Sequence, residues 1–428
     1  MKKPLLILII VIIFIAVFFG AWWFLMRDSG TPTTDTTGQT TKTFNPFGIF
    51  GGNDTPSSPT PQEEGTFPDS SSGNGTLQQA IVEISDKPVA GVTTLVLHIG
   101  TSTEELVRYV QRETGHIYDY KIATGVTTRI SNTTIPRVRE ALFGNNAATV
   151  AFRRIQDDGE TIETFLGNIA PMVASTSNES RLSGVFLPQN ILAVAMHPTQ
   201  DQVFYEMRSD SGGAGYVVSP SGTKTIFAHP FYQWQASWNT GSYILLSTAP
   251  SRSVGGIAFS LDPVSGALTR MGTTTVALTT LPNIHGDTIL YGSVGQSGPR
   301  IFTYNPKTKQ STALSIATLP EKCVWANATL LYCAIPNNST QNLPDDWYQG
   351  VVSFTDTLWQ IDTATGLTTY IIDPGTILKN GADMTHLALS DDGADLTFIN
   401  KKDGTLWLVD LSRALAAPRG SSNGEGGY

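Results

Sequence analysis

The side chains best suited to recognition sit together as Asp345-Asp346-Trp347-Tyr348, near the end of the segment PNNSTQNLPDDWYQG. Two aromatic rings can anchor a protein or stack on a sugar, and the neighbouring carboxylates can hold polar groups. The segment separates two strand hairpins where other repeats spend only a few residues. Long loops on a rigid scaffold are where binding concentrates. The competing reading is an exposed insertion whose rings pack on a neighbouring repeat. The two cysteines, Cys323 and Cys333, bracket the stretch CVWANATLLYC. If Asn327-Ala328-Thr329 turns a hairpin, they face each other on neighbouring strands. They then form either a cross-strand disulfide, outside the cytoplasm, or a pair of buried thiols.

Signals for catalysis or metal binding are sparse. The six histidines (His98, His116, His197, His229, His285 and His386) are scattered, with neither a His-Glu-x-x-His nor a Cys-x-x-Cys pattern. Structural roles are expected for all of them, and no metal or cofactor is expected. Gly420-Ser421-Ser422-Asn423-Gly424 matches the Gly-x-Ser-x-Gly pattern. A nucleophile elbow needs a strand before it and a helix after it, and this match lies in a polar tail. The net charge of −9 argues against nucleic acid, which favours a basic face.

The elements that would position these residues repeat along the chain. SDDGADLTFINKKDGTLWLVDL (390–411) reads as turn, strand, turn, strand. Its second half has counterparts such as LWQIDTATGLTTYI (358–371), IFTYNPKTKQSTAL (301–314) and IYDYKIATGVTTRI (117–130). Each is an alternating strand, a turn and a second strand. Its first half recurs in LFGNNAATVAF (142–152), SWNTGSYILL (237–246) and VWANATLLY (324–332). Two hairpins per unit, at a spacing of roughly 40–58 residues, make an all-β chain of four-stranded sheets in series, the pattern of a β-propeller. Units beginning near Val89, Ile135, Val185, Phe231, Leu278, Leu319 and Asp383 predict seven blades, with six or eight as the alternatives. The last unit lacks an outer strand, and LQQAIVEI (77–84) can supply it and close the ring.

The N-terminus carries an address. Lys2 and Lys3 precede the apolar run PLLILIIVIIFIAVFFGAWWFLM (4–26). Roughly 20 apolar residues cross the hydrocarbon core, and basic residues before them stay in the cytoplasm. Residues 1–3 are therefore expected to be a cytoplasmic stub, and 4–26 a single transmembrane signal anchor in the plasma membrane. Residues 27–75 are rich in Thr, Ser, Pro and Gly and are expected to form a disordered tether. Such a tether spans about 40 Å by random-coil scaling. Its apolar island, Phe44, Phe47, Ile49 and Phe50, is a candidate docking peptide. The propeller is expected over 76–413, and a disordered tail over 414–428.

Ser390-Asp391-Asp392-Gly393, followed by Leu396-Thr397-Phe398, resembles the repeat of the TolB-like family of extracytoplasmic propellers. That family usually has Pro where Asp391 stands, while Asp392, Gly393, Asp403, Gly404, Val409 and Asp410 fit its pattern. The match is good for this repeat and degenerate elsewhere. The resemblance implies fold and compartment, and implies protein binding as the commonest use. The expected role is a non-enzymatic protein-interaction scaffold with an envelope protein as partner. The alternative is a carbohydrate- or peptide-active propeller or a glycan-binding module.

Overall fold

The computed structural model describes residues 80–99, 101–170, 182–295, 298–338 and 342–416. The expected membrane span and tether lie outside these residues, as do Phe44, Phe47, Ile49 and Phe50. Among the described residues no helix is long and apolar enough to cross a membrane.

The described residues form seven four-stranded antiparallel sheets, the blades of a propeller. Blades 1 to 6 cover 89–129, 138–186, 193–229, 234–276, 279–313 and 323–372. Each runs in sequence order from its innermost to its outermost strand. Blade 7 joins 384–410 to a strand from the other end of the described chain, Ile81–Ser85. The amino-acid pattern follows this layering. Ala193–Met196, innermost in blade 3, is buried throughout, whereas the outermost strands Val126–Arg129 and Gln310–Ala313 are exposed throughout. A strand covered on both faces reads as an apolar run; a solvated edge reads as Thr, Gln and Ser.

Ile81–Ser85 lies antiparallel to Leu406–Asp410, with Ile81 opposite Val409 and Val82 opposite Leu408. The backbone N–H of Asp410 also donates to Ala80 O at 2.9 Å. This is the closure expected for 77–84: it covers the edge of Leu406–Asp410 and gives the last sheet the four strands of the others. The turn that opened the repeat pattern is built from short-range bonds. Asp392 Oδ1 accepts from Ser390 Oγ at 2.6 Å and from the Ala394 N–H at 2.9 Å. Gly393 takes φ 71°, a left-handed conformation that suits glycine. Towards the middle of the ring the innermost strands approach closely. A Cβ on Gly91 would lie 1.9 Å from Ala141 O, so only glycine fits there.

Two boundaries differ from expectation. Val185, expected near the start of the third unit, lies in the outermost strand of blade 2, Leu182–Phe186, and blade 3 begins at Ala193. Val185 and Phe186 are 63% and 58% exposed, so their apolar character marks an uncovered edge and not a new core strand. Residues 414–416, expected in the tail, belong to a short helix, Leu411–Ala416. Leu411 and Ala414 are buried in the cluster that also holds Leu378, Leu396 and Val409, which is what orders this segment.

Deleting residues 80–85 is expected to lower the melting temperature and to produce self-association through the freed edge of Leu406–Asp410. Thermal unfolding and size-exclusion chromatography read both effects. An unchanged, monomeric protein would show that closure is dispensable.

Candidate functional site

The insertion of blade 6 is held down by a buried charge cluster. Lys322 ends the short turn Pro320–Lys322 that leads into blade 6. Its ammonium is fully buried, 2.6 Å from Asp383 Oδ1 and 2.7 Å from Asp356 Oδ2, and donates to Met384 O at 3.0 Å. Asp356 opens the third strand of blade 6, and Asp383 immediately precedes the innermost strand of blade 7. The cluster therefore ties the two blades together. Buried charges are costly unless paired and hydrogen-bonded. Asp383 also accepts from the Phe354 N–H at 3.0 Å and the Trp347 indole N–H at 3.1 Å, and Asp356 accepts from the Met384 N–H at 2.6 Å. Burial pushes the Asp356 carboxyl up to about 6, opposed by Lys322.

This anchoring separates the four residues that sequence reasoning grouped. Trp347, on the short helix Asp345–Tyr348, is only 6% exposed. Its ring stacks on Phe354, and Lys401 Nζ lies 3.9 Å from its centroid. It pins the insertion from below and presents no ring to a partner, because the ring is buried between Phe354 and Lys401. Asp345 accepts from the Arg252 N–H at 2.7 Å, joining the insertion to a loop of blade 4. The Asp346 carbonyl receives the Val351 N–H at 2.8 Å and closes the turn after the helix. Tyr348 is 39% exposed, and its hydroxyl donates to the carboxylate of Glu321. Tyr348 lines a cavity.

That cavity, about 320 Å³, lies where the innermost strands begin. Glu140 and Arg153 reach it from blade 2, Gln235 and Ser247 from blade 4, Thr280 from blade 5, and Glu321 and Tyr348 from blade 6 and its approach. Arg153 Nη1 meets Glu140 Oε2 at 2.8 Å, and its Nη2 donates to Ile191 O at 2.9 Å. Glu321 precedes Lys322 in the same short turn, so the buried lysine also fixes where this carboxyl stands. Burial pushes Glu321 up to about 7, against the pull of Lys322, and its Oε2 is buried without a hydrogen-bond partner.

His386 adds a group that sequence reasoning placed in a structural role. It lies in a bulge of the innermost strand of blade 7, between the paired residues Thr385 and Ala388. Its φ of 51° is rare outside glycine, and its ring is exposed at the centre of the ring of blades. Water reaches the residue through the channel, but the blades crowded around it desolvate the imidazole and hold it below its usual value; Glu140 opposes this and Arg112 adds to it. Bulges re-aim side chains, and no sequence periodicity reveals one. His197 does play the expected structural part, its Nδ1 accepting the N–H groups of Thr199 and Gln200 at 3.1 and 3.0 Å. Cys323 and Cys333 face each other on adjacent strands of blade 6 and are joined by a disulfide.

Seven antiparallel four-stranded sheets in a closed ring define the chain as a β-propeller. Neither a protein-family model nor any curated protein matches the sequence. Among solved structures it is similar to the tricorn protease, at 11% identity and a TM-score of 0.37, over 72% of this chain and 37% of that one. It is also similar to the oligogalacturonate lyase of Vibrio parahaemolyticus, at 8% identity and a TM-score of 0.45, over 76% of this chain and 98% of that one. The chain thus spans little more than a third of the tricorn protease's length. Likeness at this level does not extend to activity.

Two outcomes follow from the geometry. Lys322→Ala leaves two buried carboxylates without their cation and is expected to cost about 3–5 kcal/mol in denaturant unfolding. A loss below about 1 kcal/mol, the range of exposed pairs, would contradict the buried cluster. Glu321 titrates at 4.5 when unperturbed and near 7 in the fold. Between those values the folded state holds the extra proton, so stability falls as pH rises through this window. Glu321→Gln is expected to flatten that decline, and parallel pH–stability curves for the two proteins would disprove it. Asp356 contributes a decline of the same sign, ending near pH 6, that both proteins share.

Proposed function

We propose that this chain is a membrane-anchored, extracytoplasmic β-propeller that serves as a protein-interaction scaffold in a cell-envelope assembly. Its partner binds at the channel mouth that carries the sixth blade's insertion. The apolar run 4–26 behind Lys2 and Lys3 supports the anchor, and the TolB-like pattern at 390–410 supports the compartment. One observation carries the choice of surface. The Lys322 cluster clamps the insertion so that Tyr348 and Val351, 39% and 68% exposed, are presented beside a preformed cavity. Pre-organised contacts bind without the entropic cost of ordering a loop. The tether adds effective concentration at the membrane.

The test is crosslinking and co-purification from native membranes, comparing the wild type with Tyr348→Ala/Val351→Ser. These substitutions leave Trp347 and the buried cluster intact. A stoichiometric envelope protein is expected with the wild type and depleted at least severalfold with the variant. Equal recovery from both would move the interface elsewhere, and no partner from either would remove the scaffold reading.

A second reading, a carbohydrate- or peptide-active propeller or a glycan-binding module, is favoured by one observation. A carboxyl that titrates near 7 and faces a polar cavity is suited to giving and taking a proton. Turnover of glycan or peptide substrates by the wild type, lost in Glu321→Gln, would establish it. Binding without turnover would leave the module and exclude the enzyme.

A further inference from the structure

The innermost strands of the ring are not alike. Those of blades 3, 4, 5 and 6 pair with their neighbours without a shift in register. Those of blades 7, 1 and 2, which are adjacent around the ring, each carry a bulge: at Thr385/Ala388, Val89/Gly91 and Val138/Glu140. The bulge of blade 7 contains His386, and that of blade 2 contains Arg139. Arg112 joins them from the turn of blade 1, where its carbonyl accepts the Val138 N–H at 2.9 Å, setting the two arginines side by side.

Among the described residues neither Arg112 nor Arg139 has a carboxylate within 4.0 Å. Arg112 Nε is buried without a partner, and Nη2 makes only a long bond, 3.4 Å, to Val89 O. Burial and the charge of Arg139 both hold Arg112 below its ordinary value. Glu140, the carboxylate on the same strand, is already occupied by Arg153 at 2.8 Å. A protein of net charge −9 thus keeps two guanidiniums unpaired with any carboxylate, and the His386 imidazole, whose Nδ1 meets the Thr385 hydroxyl at 3.3 Å, feels the charge of Arg112. A half-buried guanidinium beside a second, exposed one is stabilised by an anion, and the planar fork of arginine fits a carboxylate with two parallel hydrogen bonds.

We infer that this bulged side of the channel mouth, formed by Arg112, Arg139 and His386, is a carboxylate-binding site that receives an acidic side chain or the C-terminal carboxylate of a polypeptide partner. The inference rests on the scaffold reading for the identity of the ligand as protein. A polypeptide, long enough to reach across the mouth, suits it because exposed apolar side chains stand on its other blades. Phe231, 57% exposed, leads into Trp234 at the cavity, and Val351 lies on the insertion. A hydroxyl-rich sugar would leave these without a complement.

The test uses the full chain in lipid nanodiscs and three probes. These are a fluorescein-labelled peptide GLFED with a free C-terminus, its neutral counterpart GLFQN-amide, and trigalacturonate as competitor. The acidic peptide is expected to bind at least about tenfold more tightly than the neutral one, with an affinity that falls as salt rises. Arg112→Gln/Arg139→Gln is expected to bring the acidic peptide to the neutral level without a change in melting temperature. Arg139→Gln alone, at an exposed site, gives the same readout if the double variant does not fold. Equal binding of the two peptides, no binding of either, or an acidic peptide indifferent to the arginines would each overturn the site. Trigalacturonate binding more tightly than the acidic peptide through the same arginines would overturn the polypeptide assignment. A membrane partner captured equally by the wild type and by Arg112→Gln/Arg139→Gln would refute this inference and leave the scaffold reading standing. Arginine-dependent peptide binding with no partner captured from membranes would do the reverse.

Discussion

The ring depends on two strands that are far apart in sequence. Ile81–Ser85 hydrogen-bonds to Leu406–Asp410 and completes the seventh sheet. Without that pairing Leu406–Asp410 would be an uncovered edge strand, and nothing would tie the two ends of the described chain into one sheet. Closure also fixes the innermost strands relative to one another. Arg112, Glu140, Glu321 and His386 lie on different blades or their connections, and only a closed ring brings them to one channel. The site is a property of the ring and not of any one repeat.

The buried Lys322 cluster does a different task. An ammonium and two carboxylates removed from water repay little of their desolvation cost, and apolar replacements of similar shape are often as stable. What the cluster supplies here is position. Asp383 holds the ammonium, the Phe354 N–H and the Trp347 indole at once, so the insertion, the start of blade 6 and the start of blade 7 share one arrangement. The disulfide begins at the next residue, Cys323, and staples the same innermost strand to its neighbour. Glu321, on the other side of Lys322, inherits this rigidity. Its carboxyl faces the cavity on a backbone that is held on both sides.

The channel mouth is divided in its chemistry. On one side the Tyr348–Glu321 hydrogen bond and the Glu140–Arg153 ion pair make a polar wall. On the other, Arg112, Arg139 and His386 are positive or polarisable groups without an anion. Binding and proton transfer both fit such a surface, which is why the scaffold and enzyme readings meet at the same cavity. They differ in whether Glu321 exchanges its proton with a ligand or merely shapes the wall.

What the sequence by itself determined is the layered pattern: strand, turn and strand in series, the apolar inner runs, the polar outer edges and the orphan strand that closes the ring. These are legible because strand alternation and turn chemistry are local, and because each blade must bury its faces against the next. The opposition of Cys323 and Cys333 was legible for the same reason, since one turn sets the register between them. The site was mostly not legible. Asp345, Asp346, Trp347 and Tyr348 look equivalent as a string, yet one helical turn sends Trp347 into the core and Tyr348 to the channel. Lys322 reads as an ordinary surface lysine until two aspartates from 34 and 61 residues further on enclose it. His386 and Arg139 owe their directions to bulges, which arise from how one strand fits its neighbour within a sheet. Burial of charge and the aim of a side chain are set by contacts between distant segments, and only the tertiary structure decides those.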